Sequence, residues 1–264
     1  MIIFHADIDN TLIYSYKHDI GQDKIGVEVY QDRIISYMTP ESHERLKKVS
    51  REVLFIPTTT RTAEQYGRID FRIETPLYAL VCNGGVLLKD GQEEPEWYEE
   101  SLRLTEGCRA ELFRAQKCMQ LDVNRSFEVR NIRDLFVFTK SDQPELTADL
   151  LRSRLDLSLV DVFQNGVKVY VLPKMLNKGC AVRRMKEKLA SERTGRQSLI
   201  IAAGDSEFDL SMADEADIFL APSALKKQDF WKACESGRKV LFSAESELFS
   251  DFVLRYVSEI CRKK

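Results

Sequence analysis

The fold is decided by residues 2–11, which read IIFHADIDNT. The apolar residues 2–6 predict a short, largely buried β-strand, and the carboxylates Asp7 and Asp9 follow directly at its end. Parallel sheets bind ligands at the carboxyl ends of their strands, so both acids would lie in such a crevice. Unpaired neighbouring carboxylates repel each other, and a divalent cation such as Mg²⁺ removes that cost. This stretch alone leaves a second interpretation open, in which either Asp caps a helix or forms a turn.

The composition excludes several classes of protein. The 264 residues are enough for one large or two smaller domains, and 44% hydrophobic with 31% charged residues is typical of a soluble globular protein. A net charge of −3 gives no basic field for nucleic acid, and no apolar run is long enough to cross a bilayer. The beginning of the chain does not have the pattern of a signal peptide. We therefore expect a cytoplasmic protein without a nucleic-acid or membrane partner.

The cysteines and histidines give no sign of a zinc site. Six cysteines are scattered without a C-x-x-C pair, and only three histidines are present. These spacings predict no zinc-type cluster, and isolated cysteines are typical of reduced thiols in a cytosol.

Three more apolar runs, residues 53–57, 77–82 and 198–203, also end in polar residues. Helical stretches separate the runs, which predicts βαβ units and a parallel sheet. Any one of the polar groups could be a helix cap. Their occurrence together at strand or helix junctions indicates a shared site for phosphate oxygens and a metal ion. The residues concerned are Thr58, Thr59, Thr60, Arg61, Asn83, Gly84, Asp205, Ser206 and Asp209, with Lys178 at the start of a predicted helix.

The pattern changes between residues 86 and 172. Hairpin signals occur at Asp90-Gly91, with a strand continuing towards Tyr98, and at Asn165-Gly166, and helical patterns cover residues 102–121 and 144–155. We predict an α/β, Rossmann-like core formed by residues 1–85 and 173–264, interrupted by an α+β domain over residues 86–172. Residues 12–35 give weaker signals and are predicted to be a loop with some extended structure.

The polar residues at these junctions match a series of sequence motifs in their order along the chain. Asp7, Asp9 and Thr11 match D-x-D-x-T, Thr59 matches a threonine at the end of the second strand, with Thr58 as the competing choice, and Gly204 to Asp209 match G-D-S-x-x-D. Together with Lys178 this set resembles the haloacid dehalogenase (HAD) superfamily of phosphotransferases. The insertion follows Asn83-Gly84-Gly85, which is similar to members with a type II cap. These include sucrose-phosphate and mannosylglycerate-phosphate phosphatases and also phosphomannomutases.

The resemblance implies a role for each residue. Asp7 would be the nucleophile and Asp9 the general acid and base. Asp7, Asp205 and the backbone carbonyl of Asp9 would hold Mg²⁺, and Asp209 would bind the metal through water or orient Lys178. Thr59 and Lys178 would hold the phosphoryl oxygens. Further phosphate or substrate contacts are expected from Thr11, Thr58, Thr60, Arg61, Asn83, Gly84, Lys174 and Ser206, and from cap cations such as Arg125, Arg130, Arg133, Lys140 and Lys168.

The implied function is a Mg²⁺-dependent phosphatase that acts on a small phosphorylated metabolite, most simply a sugar phosphate. A phosphomutase and a catalytically silent binding or regulatory protein remain as alternatives. The sequence departs from the family pattern at two positions, with Thr60 in place of the frequent Gly and Phe208 in place of the common Asn.

Overall fold

The structure is a computed structural model that describes residues 1–192, 198–227 and 239–263. It divides into two compact units, one formed by Met1–Glu93 with Lys178–Lys264 and the other by Glu94–Asn177. The predicted boundaries at residues 86 and 172 are both earlier than the boundaries of the second unit in the structure, Glu94 and Asn177. The first boundary is later because the hairpin that begins at Val86 pairs with a strand of the first unit and belongs to it.

The helices and strands follow one another along the chain in the order predicted for a core with an insertion. The strands are β1 (Ile2–Ala6), β2 (Tyr14–Ser15), β3 (Ile25–Tyr30), β4 (Arg33–Met38), β5 (Leu54–Pro57), β6 (Tyr78–Val81), β7 (Val86–Lys89), β8 (Gln92–Glu93), β9 (Arg130–Ile132), β10 (Phe136–Lys140), β11 (Val160–Asn165), β12 (Lys168–Pro173), β13 (Leu199–Ala203), β14 (Ile218–Ala221) and β15 (Lys239–Phe242). The α-helices are α1 (Pro40–Glu52), α2 (Ala63–Tyr66), α3 (Pro95–Thr105), α4 (Arg109–Leu121), α5 (Pro144–Arg154), α6 (Lys178–Glu192), α7 (Leu210–Ala213) and α8 (Phe249–Arg262). None of the helices in these described ranges is long and apolar enough to span a membrane.

A parallel sheet forms the centre of the first unit, with strand order β15-β14-β13-β1-β5. The backbone N–H of Thr59 donates to the carbonyl of Leu80 over 2.8 Å, which brings β6 alongside β5 at the carboxyl end of that strand. Both neighbours of β1 are parallel to it, so the carboxyl ends of β13, β1 and β5 lie at one edge. The predicted Rossmann-like core is therefore confirmed.

The central strand β1 is buried along its whole length. Phe4 stacks on Phe55 of β5 within the main apolar cluster of this unit. His5 is also buried, and its Nδ1 lies 3.0 Å from Oγ1 of Thr58. Because burial penalises the charged imidazolium, it lowers the pKa of His5 to about 3, so this ring is neutral at physiological pH.

Residues 12–35, predicted to be mainly loop, contribute to an antiparallel sheet with strand order β2-β4-β3. The turn between β3 and β4 is made by Gln31 and Asp32, both in the left-handed region with φ of 50° and 59°. Tight hairpin turns of this kind usually carry Gly or Asn, so the sequence gives no turn signal here. The register of the β3–β4 pair shifts on both sides of Glu28, which marks a bulge at that residue.

The second unit contains an antiparallel sheet with strand order β11-β12-β10-β9. Helices α4 and α5 contribute Leu112, Ala115 and Leu151 to the apolar cluster that this sheet helps to form. The predicted β11–β12 hairpin is confirmed, whereas the strand expected to continue towards Tyr98 is wrong. The chain there forms α3, because Pro95 occupies the first turn of a helix and cannot donate to a sheet.

Helix α6 begins against the short helix α7 of the first unit. The backbone N–H of Gly179 donates to Oγ of Ser211 over 2.9 Å, and a Cβ added at Gly179 would lie 2.1 Å from the carbonyl oxygen of Ser211. Only glycine allows this close approach, which fixes the first turn of α6 on α7.

We expect Gly179→Ala to destabilise the protein by about 1–3 kcal/mol, because the added methyl group forces the two helices apart. Gly107→Ala is the matched control, since a Cβ at that glycine would meet nothing within 4 Å. Thermal unfolding followed by circular dichroism measures both variants. An unchanged midpoint for Gly179→Ala would contradict the packing described here.

Candidate active site

Lys178 is almost completely buried at the carboxyl edge of the parallel sheet, with 1% of its surface exposed. Its Nζ lies 2.5 Å from Oδ1 of Asp7 and 2.5 Å from Oδ1 of Asp209. Burial alone would lower the pKa of Lys178, but the charges of Asp209 and Asp7 outweigh it and raise this pKa. The ammonium group therefore stays charged and joins the loop after β1, the start of α6 and the loop after β13.

The loop after β13 folds around the side chain of Asp209. Its Oδ2 accepts hydrogen bonds from the backbone N–H groups of Asp205 (3.1 Å) and Ser206 (3.0 Å) and from Oγ of Ser206 (2.9 Å). A Cβ added at Gly204 would lie 2.1 Å from Cβ of Asp209, so the G-D-S-x-x-D loop needs glycine at that position. The hydroxyl of Ser206, expected to contact substrate, is used to hold Asp209.

Three carboxylates, those of Asp7, Asp205 and Asp209, offer oxygen atoms within 4.8 Å of one another. Burial raises the pKa of Asp7 well above its usual range, although the nearby Lys178 acts in the opposite direction. Burial and the charge of Asp209 raise the pKa of Asp205 to about 7. One ammonium group does not balance three carboxylates, so this cluster favours a further cation.

The donor set fits Mg²⁺, which prefers carboxylate oxygens and water as ligands. Both oxygens of Asp209 already accept hydrogen bonds from Lys178 and Ser206. Asp7 and Asp205 are thus the carboxylates best suited to direct ligation. Asp209, for which a role in orienting Lys178 is predicted, contacts Lys178 through Oδ1.

The side chain of Asp205 is held by two residues of the first motif. Oγ1 of Thr11 donates to Oδ1 of Asp205 over 3.5 Å, and the side chain of Asn10 also hydrogen-bonds Asp205. Asn10 has φ of 57° in the turn after β1. Sequence reasoning did not select Asn10, although asparagine is a residue that accepts this backbone conformation. Thr11, for which a phosphate contact is predicted, contacts the acidic cluster through its hydrogen bond to Asp205.

The two candidate threonines after β5 have different partners. Oγ1 of Thr58 donates to the carbonyl of Ile56 over 3.1 Å and lies beside His5, inside the core. Oγ1 of Thr59 accepts from the backbone N–H of Arg61 over 3.2 Å, which leaves its own proton available to donate. This arrangement favours Thr59 over Thr58 as the phosphate-binding hydroxyl.

Asn83 and Gly84 form the turn beside Thr59. The backbone N–H of Asn83 donates to the carbonyl of Thr59 over 2.9 Å, and both turn residues have positive φ, 58° and 86°. The structure therefore brings this turn next to the phosphate-binding candidate. For Thr60, which is partly buried, no contact defines a role.

Arg61 makes contacts that differ from those expected. Its Nε and Nη2 donate to the two carboxylate oxygens of Asp9 over 2.8 and 2.7 Å. Its Nη1 and Nη2 donate to the two oxygens of Glu28 over 2.8 and 3.0 Å, and Nη1 also donates to the carbonyl of Gln65 over 3.3 Å. A guanidinium group has five N–H donors, so none is left here for a phosphate oxygen. Sequence reasoning missed Glu28, which lies in the segment predicted to be loop.

The cations predicted to bind substrate in the second unit include five that have partners within that unit. Lys174 pairs with the carboxylate of Asp161. Arg130 pairs with Glu128 over 2.6 Å. Of the other predicted cations, Arg125 donates to the carbonyl of Phe127, Lys140 lies over the ring of Phe127, and Arg133 lies over the ring of Tyr98. Lys168 lies at the start of β12, with its side chain exposed.

A family model described as sucrose-6F-phosphate phosphohydrolase matches residues 2–223 of the chain. A search of curated proteins with this chain found no match. The structure of sucrose-phosphatase from Synechocystis sp. PCC6803, in complex with sucrose and phosphate, is similar with a TM-score of 0.62 and 13% identity, over 98% of this chain and 97% of that one. A trehalose-6-phosphate phosphatase from Aspergillus fumigatus is similar with a TM-score of 0.52 and 14% identity, over 98% and 92% of the two chains.

A third similar structure is a haloacid dehalogenase-like hydrolase from Bacteroides thetaiotaomicron, with a TM-score of 0.54 and 14% identity, over 98% of this chain and 99% of that one. At these identities the solved structures establish a common fold. The family model, which covers more than half of the chain, establishes membership. The chain belongs to the sucrose-6F-phosphate phosphohydrolase family, whose members are phosphoric monoester hydrolases with the HAD fold.

Proposed function

We propose that the protein is a Mg²⁺-dependent phosphatase that hydrolyses a sugar phosphate through a phosphoryl group carried by Asp7. The observation that supports this proposal most strongly is the position of Lys178, whose buried ammonium group contacts Asp7 and Asp209 beside Asp205. A nucleophilic carboxylate, a fixed positive charge and a set of metal ligands are what phosphoryl transfer through a covalent intermediate requires.

In the first step a carboxylate oxygen of Asp7 attacks the phosphorus atom and forms a P–O bond. The bond from phosphorus to the sugar oxygen breaks, and Asp9 gives its proton to that leaving oxygen. Lys178 and the hydroxyl of Thr59 donate hydrogen bonds to the phosphoryl oxygens and stabilise their charge in the transition state. The products are the free sugar and phosphoryl-Asp7.

In the second step Asp9, now a carboxylate, removes a proton from a water molecule that attacks phosphoryl-Asp7. The bond between phosphorus and Asp7 breaks, which releases inorganic phosphate, restores the Asp7 carboxylate and leaves Asp9 with its proton. When bound by Asp7 and Asp205, Mg²⁺ supplies positive charge that neutralises the phosphoryl oxygens and fixes their geometry.

The family membership makes sucrose 6F-phosphate the first candidate substrate. The similar structures include one solved with sucrose and phosphate and one of a trehalose-6-phosphate phosphatase, which supports a phosphorylated sugar as the substrate class. Specificity within this class depends on residues that bind the sugar.

We expect the protein with Mg²⁺ to release inorganic phosphate from at least one member of a panel of phosphate esters. The panel contains sucrose 6F-phosphate, trehalose 6-phosphate, fructose 6-phosphate, glucose 6-phosphate and inosine monophosphate. Asp7→Asn removes the nucleophile and is expected to lower kcat by about 10⁴-fold or more while the protein stays folded, as measured by phosphate release and circular dichroism.

The same panel tests the alternatives. Transfer of phosphate between positions of one sugar, dependent on a bisphosphate activator, would favour a phosphomutase. Absence of turnover on every ester would favour a binding protein with the HAD fold. Full activity of Asp7→Asn would remove Asp7 from the role of nucleophile.

Binding of Mg²⁺ should also stabilise the folded protein, by about 2.7 kcal/mol at a concentration one hundred times its Kd. Thermal unfolding with and without Mg²⁺ measures this shift independently of activity. Asp205→Asn is expected to lose most of the shift, whereas Asp32→Asn, which removes an exposed carboxylate from the β3–β4 turn, should keep it. An equal shift in both variants would exclude Asp205 as a ligand.

A further inference from the structure

We propose that Glu28, a buried carboxylate on β3 that lies outside the four sequence motifs, positions Asp9 for proton transfer and acts on it through Arg61. This inference rests on the acid and base role proposed above for Asp9. Glu28 has no role in the family pattern quoted for this sequence, and its segment was predicted to be loop.

Glu28 is directed inwards by an irregularity of its own strand. The register of β3 against β4 shifts on both sides of this residue, and bulges of this kind redirect a side chain. Only 1% of Glu28 is exposed. Its Oε2 accepts a hydrogen bond of 2.5 Å from Oγ of Ser36 on the neighbouring strand, and its Oε1 lies 3.4 Å from Nε of Arg68.

A buried carboxylate is costly unless it is paired, and a surface hairpin has no need of one. The main partner of Glu28 is Arg61, which donates to both of its carboxylate oxygens. Two parallel hydrogen bonds between guanidinium and carboxylate fix the plane of the arginine as well as its distance. Glu28 therefore determines the direction in which the other edge of Arg61 points.

The other edge of the Arg61 guanidinium group binds Asp9. Both carboxylate oxygens of Asp9 accept hydrogen bonds from Arg61, while 48% of the Asp9 side chain is exposed. A half-exposed carboxylate would otherwise rotate about its side-chain bonds, and proton transfer requires it to be held at hydrogen-bond distance from the leaving oxygen. The series Glu28–Arg61–Asp9 provides this restraint, with Ser36 fixing its first member. In the acid form of Asp9, one oxygen still accepts from Arg61 while the other carries the proton that is donated to the leaving oxygen.

A purely structural role of Glu28 is the competing explanation, since the same contacts hold the hairpin to the core. The two roles differ in their dependence on the leaving group. A sugar alkoxide needs a proton as it leaves, whereas the nitrophenolate of p-nitrophenyl phosphate does not. The kcat/KM for the sugar phosphate divided by the kcat/KM for p-nitrophenyl phosphate therefore reports on proton transfer. This ratio does not change with the fraction of folded enzyme.

The experiment measures this ratio for Glu28→Gln with p-nitrophenyl phosphate and the sugar phosphate that wild type hydrolyses fastest in the panel. Because kcat/KM includes only the steps up to the release of the sugar or phenol, it isolates the first transfer. We expect the ratio to fall about tenfold, as proton donation is one of the larger contributions to such reactions. Ser36→Ala, which removes only the hydrogen bond that fixes Glu28, should lower the ratio in the same direction by a smaller factor.

Glu247→Gln is the matched control. Glu247 accepts from Nε and Nη2 of Arg255 in a similar bidentate pair, in the same unit but outside the proposed active site. This variant should keep the wild-type ratio.

Asp9→Asn separates a failure of the inference from a failure of the proposed function. If Asp9→Asn lowers the ratio while Glu28→Gln and Ser36→Ala leave it unchanged, Glu28 is structural and the inference is wrong. If Asp9→Asn itself leaves the ratio unchanged, the acid and base role of Asp9 is wrong, and the inference falls with it. Should Glu28→Gln not fold, Ser36→Ala decides between these outcomes.

Discussion

The buried ammonium group of Lys178 fixes the arrangement of the loops at the carboxyl edge of the parallel sheet. It contacts Asp7 at the end of β1 and Asp209 in the loop after β13, and it lies at the first residue of α6. An unpaired lysine at this depth would lose its charge, and the carboxylates without it would repel one another. Packing of Gly179 on Ser211 keeps the first turn of α6 in place. The core thus assembles a charged site whose members stabilise each other.

A second set of charged residues, Glu28, Arg61 and Asp9, includes one acid of the first motif and differs from the Lys178 cluster in what it holds in place. Lys178 is a compact charge that two acids share, whereas Arg61 holds two carboxylates in defined planes through four hydrogen bonds. The first arrangement suits a nucleophile and a metal site, where charge has to be balanced. The second suits a group that transfers a proton, where direction is critical. Asp7 and Asp9 are separated by one residue along the chain, yet they lie in two distinct environments.

Much of the fold could be predicted, because four apolar runs of the core each stop at polar residues. Asp7, Lys178, Asp205 and Asp209 were selected from these junctions, and the structure brings them together. Glu28 could not be selected, since the Gln31-Asp32 turn carries no glycine and a bulge breaks the strand alternation. Arg61 was assigned to phosphate because a sequence does not show that an acid elsewhere in the chain takes its donors. The boundary near Val86 was set too early because a hairpin alone does not reveal the sheet it joins.

The proposed mechanism requires that Asp7 accepts the phosphoryl group while Lys178 and a metal ion offset its charge. A crystal structure with Mg²⁺ and trifluoroberyllate, which mimics a phosphoryl group on a carboxylate, tests it most directly. We expect beryllium bonded to a carboxylate oxygen of Asp7, the Lys178 ammonium within hydrogen-bond distance of a fluorine, and the metal ligated by Asp7 and Asp205. Trifluoroberyllate on a different side chain would rule out Asp7 as the phosphoryl acceptor, and Lys178 directed away from it would rule out Lys178 as the group that offsets the charge.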